Sequence, residues 1–216
     1  MDVRDIASAG DIILIVGSEP AQVARLLVQS LFLKAVSKVF GAMLGPHFRE
    51  GTAASGTQPK EILLPEDDAE AMTVLCQVIH HKYHDIPYCL KPQAVLEAAR
   101  AADKYDCLAL LKHAKTRWLD PCYGLNMVTG LVGESPRGEL PSNLGNVQYD
   151  FENLGCLMAV AFLLDDAGAF EELISILILH YAESYLPLAD EKWGGSLIPS
   201  DVLCNSPASG ILILSI

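Results

Sequence analysis

The feature that most constrains this chain is the run Ile12-Ile13-Leu14-Ile15-Val16, opened by Asp11 and closed by Gly17. It is apolar, rich in β-branched residues, and too short for a helix, so it reads as a buried strand. The fold therefore contains a sheet that the rest of the chain must cover. Pro20 breaks the chain after it. Residues 23–28 fit either a hairpin partner or the start of the next helix. Over residues 30–44, Leu33, Val36, Phe40, Met43 and Leu44 recur at spacings of three and four, which is one face of an amphipathic helix. Ser37 is a candidate break that would divide it into two.

A Gly/Ser/Thr loop over residues 51–59 leads to Glu61-Ile62-Leu63-Leu64-Pro65, another short strand stopped by proline. Glu66, Asp67 and Asp68 then supply acids at a helix start, where the macrodipole favours them. That helix runs to about residue 80 on Met72, Leu75, Cys76 and Ile79. A further helix is expected over 93–105, and Asp106 is expected to N-cap another over 107–119, ended by Asp120-Pro121. Residues 133–146 are rich in Gly, Pro, Ser and Asn, the composition of a linker. Beyond them, residues 154–164 and 170–185 read as an αα-hairpin, with Asp165 or Asp166 capping the second helix. The expected class is α+β: a small sheet flanked by α-helices, followed by an all-helical C-terminal annex.

Composition excludes several functions. Half of the 216 residues are apolar and only 19% are charged, so the chain can bury a core and is not disordered throughout. The net charge is −12 and no Lys/Arg cluster occurs, which argues against direct nucleic-acid binding and against an anionic membrane surface. The longest apolar run, residues 154–164, falls short of the roughly 18 residues that span a bilayer. Asp2 and Asp5 stand where a signal peptide needs basic residues. Six cysteines are scattered singly with no CxxC pair. An intracellular location, cytoplasmic or nuclear, with reduced thiols is expected.

The chemical motifs are sparse. His80, His81 and His84, with Cys76 and Cys89 nearby, form the most suggestive metal constellation, since His80 and His84 would share a helical face. The glutamate of a metalloprotease motif is absent, and the helix must bury the face that carries Cys76 and His80. A packed or solvated helix end, with cations favoured near its C-terminus, is the expected role, with no metal and no cofactor. Cys107 and His113 are six apart and would diverge on one helix, so they make no nucleophile–base pair. No G-x-S-x-G elbow, P-loop or dinucleotide fingerprint occurs, and the glycines Gly130 and Gly133 sit in the loop-rich region. Glu66, Asp67, Asp68 and Glu70 lack the spacing of a calcium loop and suit a first helical turn. No catalytic residue is expected.

Residues 11–119 resemble the BTB/POZ family, and its fungal members in particular. Asp11 through Gly17 are similar to the family's opening Asp-plus-strand. Val28, Leu33, Ser37, Phe40 and Met43 match its V-H-x-x-x-L-x-x-x-S-x-x-F-x-x-M spacing, with Gln29 where histidine is usual. Residues 61–68 resemble its strand-to-helix junction, and Ala102-Asp103-Lys104-Tyr105-Asp106-Cys107 its A-D-K-Y-x-C block. Residues 163–167 and 184–188 are similar to the helical tail of fungal members.

The resemblance implies a BTB/POZ domain over 9–119, a loop-rich linker over 120–152 and a helical region over 153–216. It implies a non-catalytic protein-interaction module, an adaptor or scaffold and possibly a substrate adaptor for a cullin-type ubiquitin ligase. The alternative it implies is a transcription or chromatin cofactor acting through partners. A small metal-dependent enzyme using His80 and His84 is the rival from another class. In cullin-recruiting members a hydrophobic-x-Glu motif follows the helix pair; Phe48-Arg49-Glu50 stands there, making Phe48 and Glu50 the candidate partner-binding residues. Many members dimerise through a long N-terminal arm. Ten residues precede Asp11 here, and Ser30 replaces the basic partner that Asp11 has in transcription-factor members. A monomer or weak homodimer is therefore expected. No role is assigned to residues 205–216.

Overall fold

The computed structural model describes residues 3–20, 23–45, 59–87, 90–112, 118–119, 151–180, 188, 190 and 197–198. Among them lie four strands and seven α-helices: β1 (Val3–Asp5), β2 (Ile12–Val16), β3 (Ala24–Val28), α1 (Ser30–Val36), α2 (Lys38–Met43), β4 (Lys60–Leu64), α3 (Ala69–Ile79), α4 (Pro92–Lys104), α5 (Leu108–Leu111), α6 (Phe151–Leu163) and α7 (Ala167–His180). The chain divides into two compact units, Met1–Tyr88 with Glu97–Leu111, and Cys89–Leu96 with Lys112–Ile216. The division crosses α4. The expected linker over 120–152 lies outside the described residues except for its last two, which begin α6.

The first unit is mixed α+β. Its sheet has the order β1-β3-β2-β4. β3 runs antiparallel to β2, with Ile12 opposite Val28 and Val16 opposite Ala24, so residues 23–28 are the hairpin partner. β4 runs parallel to β2 and β1 parallel to β3. The period-2 geometry of a strand puts Ile12, Leu14, Val16, Leu26, Val28, Ile62 and Leu64 on one buried face. Ile13, Ile15 and Leu27 on the other face are only half-buried. The opening strand is thus covered fully on one side alone. Gly17 ends β2 at φ 87, a left-handed conformation that glycine adopts without steric cost.

α3 is the central helix of this unit. The apolar stripe Met72, Leu75, Cys76 and Ile79 is buried as expected, but so is the opposite side, and residues 71–80 are buried without interruption. The polar members of that run are hydrogen-bonded, as buried polar groups must be. The Thr73 hydroxyl donates to the Ala69 carbonyl at 2.7 Å and the Gln77 amide reaches the Asp85 carbonyl at 3.5 Å. Asp68 is the N-cap, its carboxylate accepting from the Ala71 N–H at 2.8 Å.

Ser37 does divide the amphipathic stretch. It closes α1 through its N–H to the Leu33 carbonyl and opens α2 by accepting from the Phe40 N–H at 3.0 Å. Asp106, in contrast, is not an N-cap. It holds φ 50 and closes α4: the Cys107 N–H reaches the Ala102 carbonyl at 2.8 Å, and the Asp106 N–H the Asp103 carbonyl at 2.9 Å. This is the Schellman pattern, which needs a left-handed residue one past the cap. Short Asp side chains tolerate that conformation as well as N-cap geometry, which is why sequence alone misassigns it. His81 at φ 57 closes α3 in the same way, and Asp165 at φ 54 closes α6.

In the second unit α6 and α7 form the expected hairpin. Asp166 supplies the cap, its carboxylate accepting from the Ala169 N–H at 3.2 Å. Residues 154–161 of α6 are buried without a break, and the Cys156 thiol meets the Gln93 carbonyl oxygen at 3.1 Å. Along α7 only Leu177 is buried among the described side chains; Leu173, Ile174, Ile176 and Ile178 are half-buried. Among the described residues no helix is long and apolar enough to cross a membrane.

Candidate functional site

Three clusters in the first unit bring together side chains that are distant in sequence. The first is a buried node between α2, the end of α4 and the turn before α3. Phe40 is fully buried and stacks on Tyr105, with ring centroids 4.2 Å apart and planes 2° from parallel. The Tyr105 hydroxyl donates to Asp67 Oδ2 at 2.7 Å, and Lys104 Nζ to Asp67 Oδ1 at 2.7 Å. The Ser37 hydroxyl donates to the Tyr105 carbonyl while accepting from Phe40. Burial, followed by the Asp67 carboxylate, pushes the Tyr105 phenol far above its ordinary value. The phenol stays protonated and serves as a hydrogen-bond donor. The sequence placed Asp67 in a charged first turn; its reach across 38 positions to Tyr105 is a tertiary fact with no local signal.

The second cluster sits at the start of α1. The Gln29 side chain makes no capping bond. Asp11, from the start of β2, takes that role: its carboxylate accepts from the Ser30 N–H and from the Ser30 hydroxyl, both at 2.6 Å. Burial alone would raise the Asp11 pKa, but the Ser30 bonds outweigh it and the net shift is downward. Ser30 is thus the partner of Asp11 where a basic residue is missing.

The third cluster surrounds His80. The ring is 9% exposed, meets the Phe32 ring edge-on at 5.4 Å, and has both nitrogens engaged. Nε2 accepts from the Gln29 N–H at 3.0 Å and Nδ1 lies 2.8 Å from the Cys76 carbonyl. Burial is the leading cause that lowers the His80 pKa. The ring is therefore neutral at physiological pH, with its proton on Nδ1. His84 lies on a 3-10 turn (Tyr83–Asp85), exposed, with Nε2 3.1 Å from Asp85. Cys89 and His113 lie outside the described residues. Among those described, no group of three or more His, Cys, Asp or Glu side chains is arranged to hold a metal ion. The Cys76 and Cys107 thiols are buried, and desolvation pushes each pKa up to about 12. A thiol that stays protonated is neither a nucleophile nor a ligand.

What the first unit offers to solvent is apolar area. Leu31 and Phe32 on α1 are 65% and 43% exposed, and Leu63 on the outer sheet face is 71% exposed beside Ile15. Phe48 and Glu50 lie outside the described residues. No protein-family model and no curated protein matches this sequence.

Proposed function

We propose that this chain is a protein-interaction module of the BTB/POZ type with a helical C-terminal extension, acting as an adaptor or scaffold. The observation that carries the reading is the convergence of the blocks that prompt the resemblance. Ser37 and Phe40 come from one block, Asp67 from the strand-to-helix junction, and Lys104 and Tyr105 from the A-D-K-Y-x-C block; all five meet in a single buried node. Asp11 and the residues after Val28 meet in a second. Residues spent on holding a scaffold together leave function to exposed surfaces.

Recruitment of a cullin through Phe48 and Glu50 is the specific form of this proposal. Purified full-length chain is mixed with the N-terminal domain of a cullin and the complex is measured by titration calorimetry. Saturable binding that the Phe48→Ala/Glu50→Ala double variant loses, with an unchanged circular dichroism spectrum, supports it. Equal affinity for the variant removes the motif, and no binding by the wild type removes the cullin. The general module reading fails if affinity purification from cells yields no protein in stoichiometric amount.

A further inference from the structure

The His80 cluster joins two elements through a single acceptor atom. Gln29 is the N-cap residue of α1, and its backbone N–H ends on Nε2 of a ring at the C-terminus of α3, 51 positions away. Nδ1 is committed to the Cys76 carbonyl one helical turn back, which fixes the ring's orientation and its tautomer. Phe32, the next large side chain of α1, covers the ring edge. A neutral imidazole with Nδ1–H satisfies every one of these partners. An imidazolium has two N–H groups and no acceptor, so its Nε2–H would point at the Gln29 N–H, two donors face to face in a mostly buried seam.

We infer that His80 is an acid-operated latch: protonation of its ring removes the acceptor that holds Gln29 and frees the start of α1 from the end of α3. Of the groups facing the ring, the Cys76 carbonyl favours imidazolium, but burial outweighs it. His81 and Lys82, just past α3, both disfavour a positive ring. α1 presents the uncharged Phe32 edge, and the β3–α1 junction presents a backbone amide. Asp11 reaches Ser30, the residue after Gln29, and its carboxylate is occupied there. The exposed pair Leu31 and Phe32 rides on the helix that the latch holds, so acidification alters how that apolar surface is presented.

The sign follows from linkage. The folded-state pKa of His80 is lowered, so the unfolded chain, with its histidine near 6.5, takes up a proton that the folded chain refuses. The stabilisation is complete above about pH 6.5 and is lost as pH falls through the folded value. The Asp11 pKa is lowered from the ordinary carboxylate value by its Ser30 bonds, so its titration lies well to the acid side of the histidine range.

Long-range nitrogen–proton NMR on the full chain tests the latch. At about pH 7.5 the His80 ring should show the neutral Nδ1–H tautomer, with a titration midpoint below about 6.5. The Gln29 amide should shift with that same midpoint, and the melting temperature should fall over that range by more in the wild type than in His80→Gln, which keeps an acceptor but cannot titrate. An Nε2–H tautomer, an imidazolium at neutral pH, or a Gln29 amide indifferent to the His80 midpoint overturns the inference. Should His80→Gln fail to fold, the tautomer and the two wild-type midpoints still decide it.

Discussion

Among the described residues, each unit contains one helix whose buried residues run without a break, α3 with its cap over residues 71–80 and α6 over residues 154–161. Their compositions differ. The buried run of α3 includes Thr73, Gln77 and His80, each with a hydrogen-bond partner that fixes its position. The run of α6 is Leu, Gly, Cys, Met, Ala and Val, with one thiol contact to Gln93. Apolar burial is non-directional and proportional to area, so it stabilises many packings nearly equally. A buried hydrogen bond tolerates one geometry and penalises the rest. Among the described residues, the buried run of α3 thus sets directional contacts in an apolar core, whereas the buried run of α6 is built mainly of apolar side chains.

The largest effect that can sharpen this contrast is Phe40→Ala. It empties a fully buried site and unstacks Tyr105, and should cost about 3–5 kcal/mol in chemical denaturation. A soluble variant with an unchanged midpoint would remove Phe40 from the core. Next in size is Asp67→Ala, which strands the buried Tyr105 phenol and releases the exposed Lys104 ammonium to water; a loss of about 1–3 kcal/mol is expected. If Asp67→Ala melts with the wild type, the node is ornamental and the contrast between the units fails.

Met158→Leu in α6 should cost less than about 1.5 kcal/mol, because a volume-conserving apolar exchange disturbs no directional bond. A loss comparable to Asp67→Ala would mean that α6 is as geometrically specified as α3. The smallest effect has the opposite sign. Asp165 occupies the left-handed position that closes α6, where glycine escapes the Cβ penalty. Relief of a left-handed penalty of about 1–2 kcal/mol should outweigh glycine's extra unfolded-state freedom of about 0.4–1 kcal/mol, so Asp165→Gly should raise the melting temperature; a lower one would show that the Asp side chain contributes more than its backbone strain costs.

How much was legible in the sequence follows the same division. β2, β4 and the helices with strong apolar periodicity were readable because one face is buried, and Ser37 was readable as a break because serine competes for backbone groups. β1 was missed: Val3, Arg4 and Asp5 are all exposed, so no alternation marks them, and only the pairing to β3 makes them a strand. The buried polar side of α3 was unreadable for a related reason, since Thr73 and Gln77 look like a solvent face until their partners are known. Asp67 and Asp106 were recognised as structural acids and given the wrong structural roles, because Asp suits caps, left-handed turns and tertiary acceptors alike. Of the candidate site, His80 lies at a packed helix end, one of the two settings its position suggests, but burial lowers its pKa where a favourable cation is expected, and its bond to Gln29 links positions 51 apart and leaves no local trace.

The Asp67–Tyr105 contact should couple two sequence blocks energetically and do more than bring them near. A double-mutant cycle with Asp67→Ala, Tyr105→Phe and the pair, measured by urea denaturation, isolates that term. The account predicts that the pair costs less than the sum of the singles by about 1 kcal/mol or more, the hydroxyl having no further value once its acceptor is gone. Strictly additive costs would contradict it.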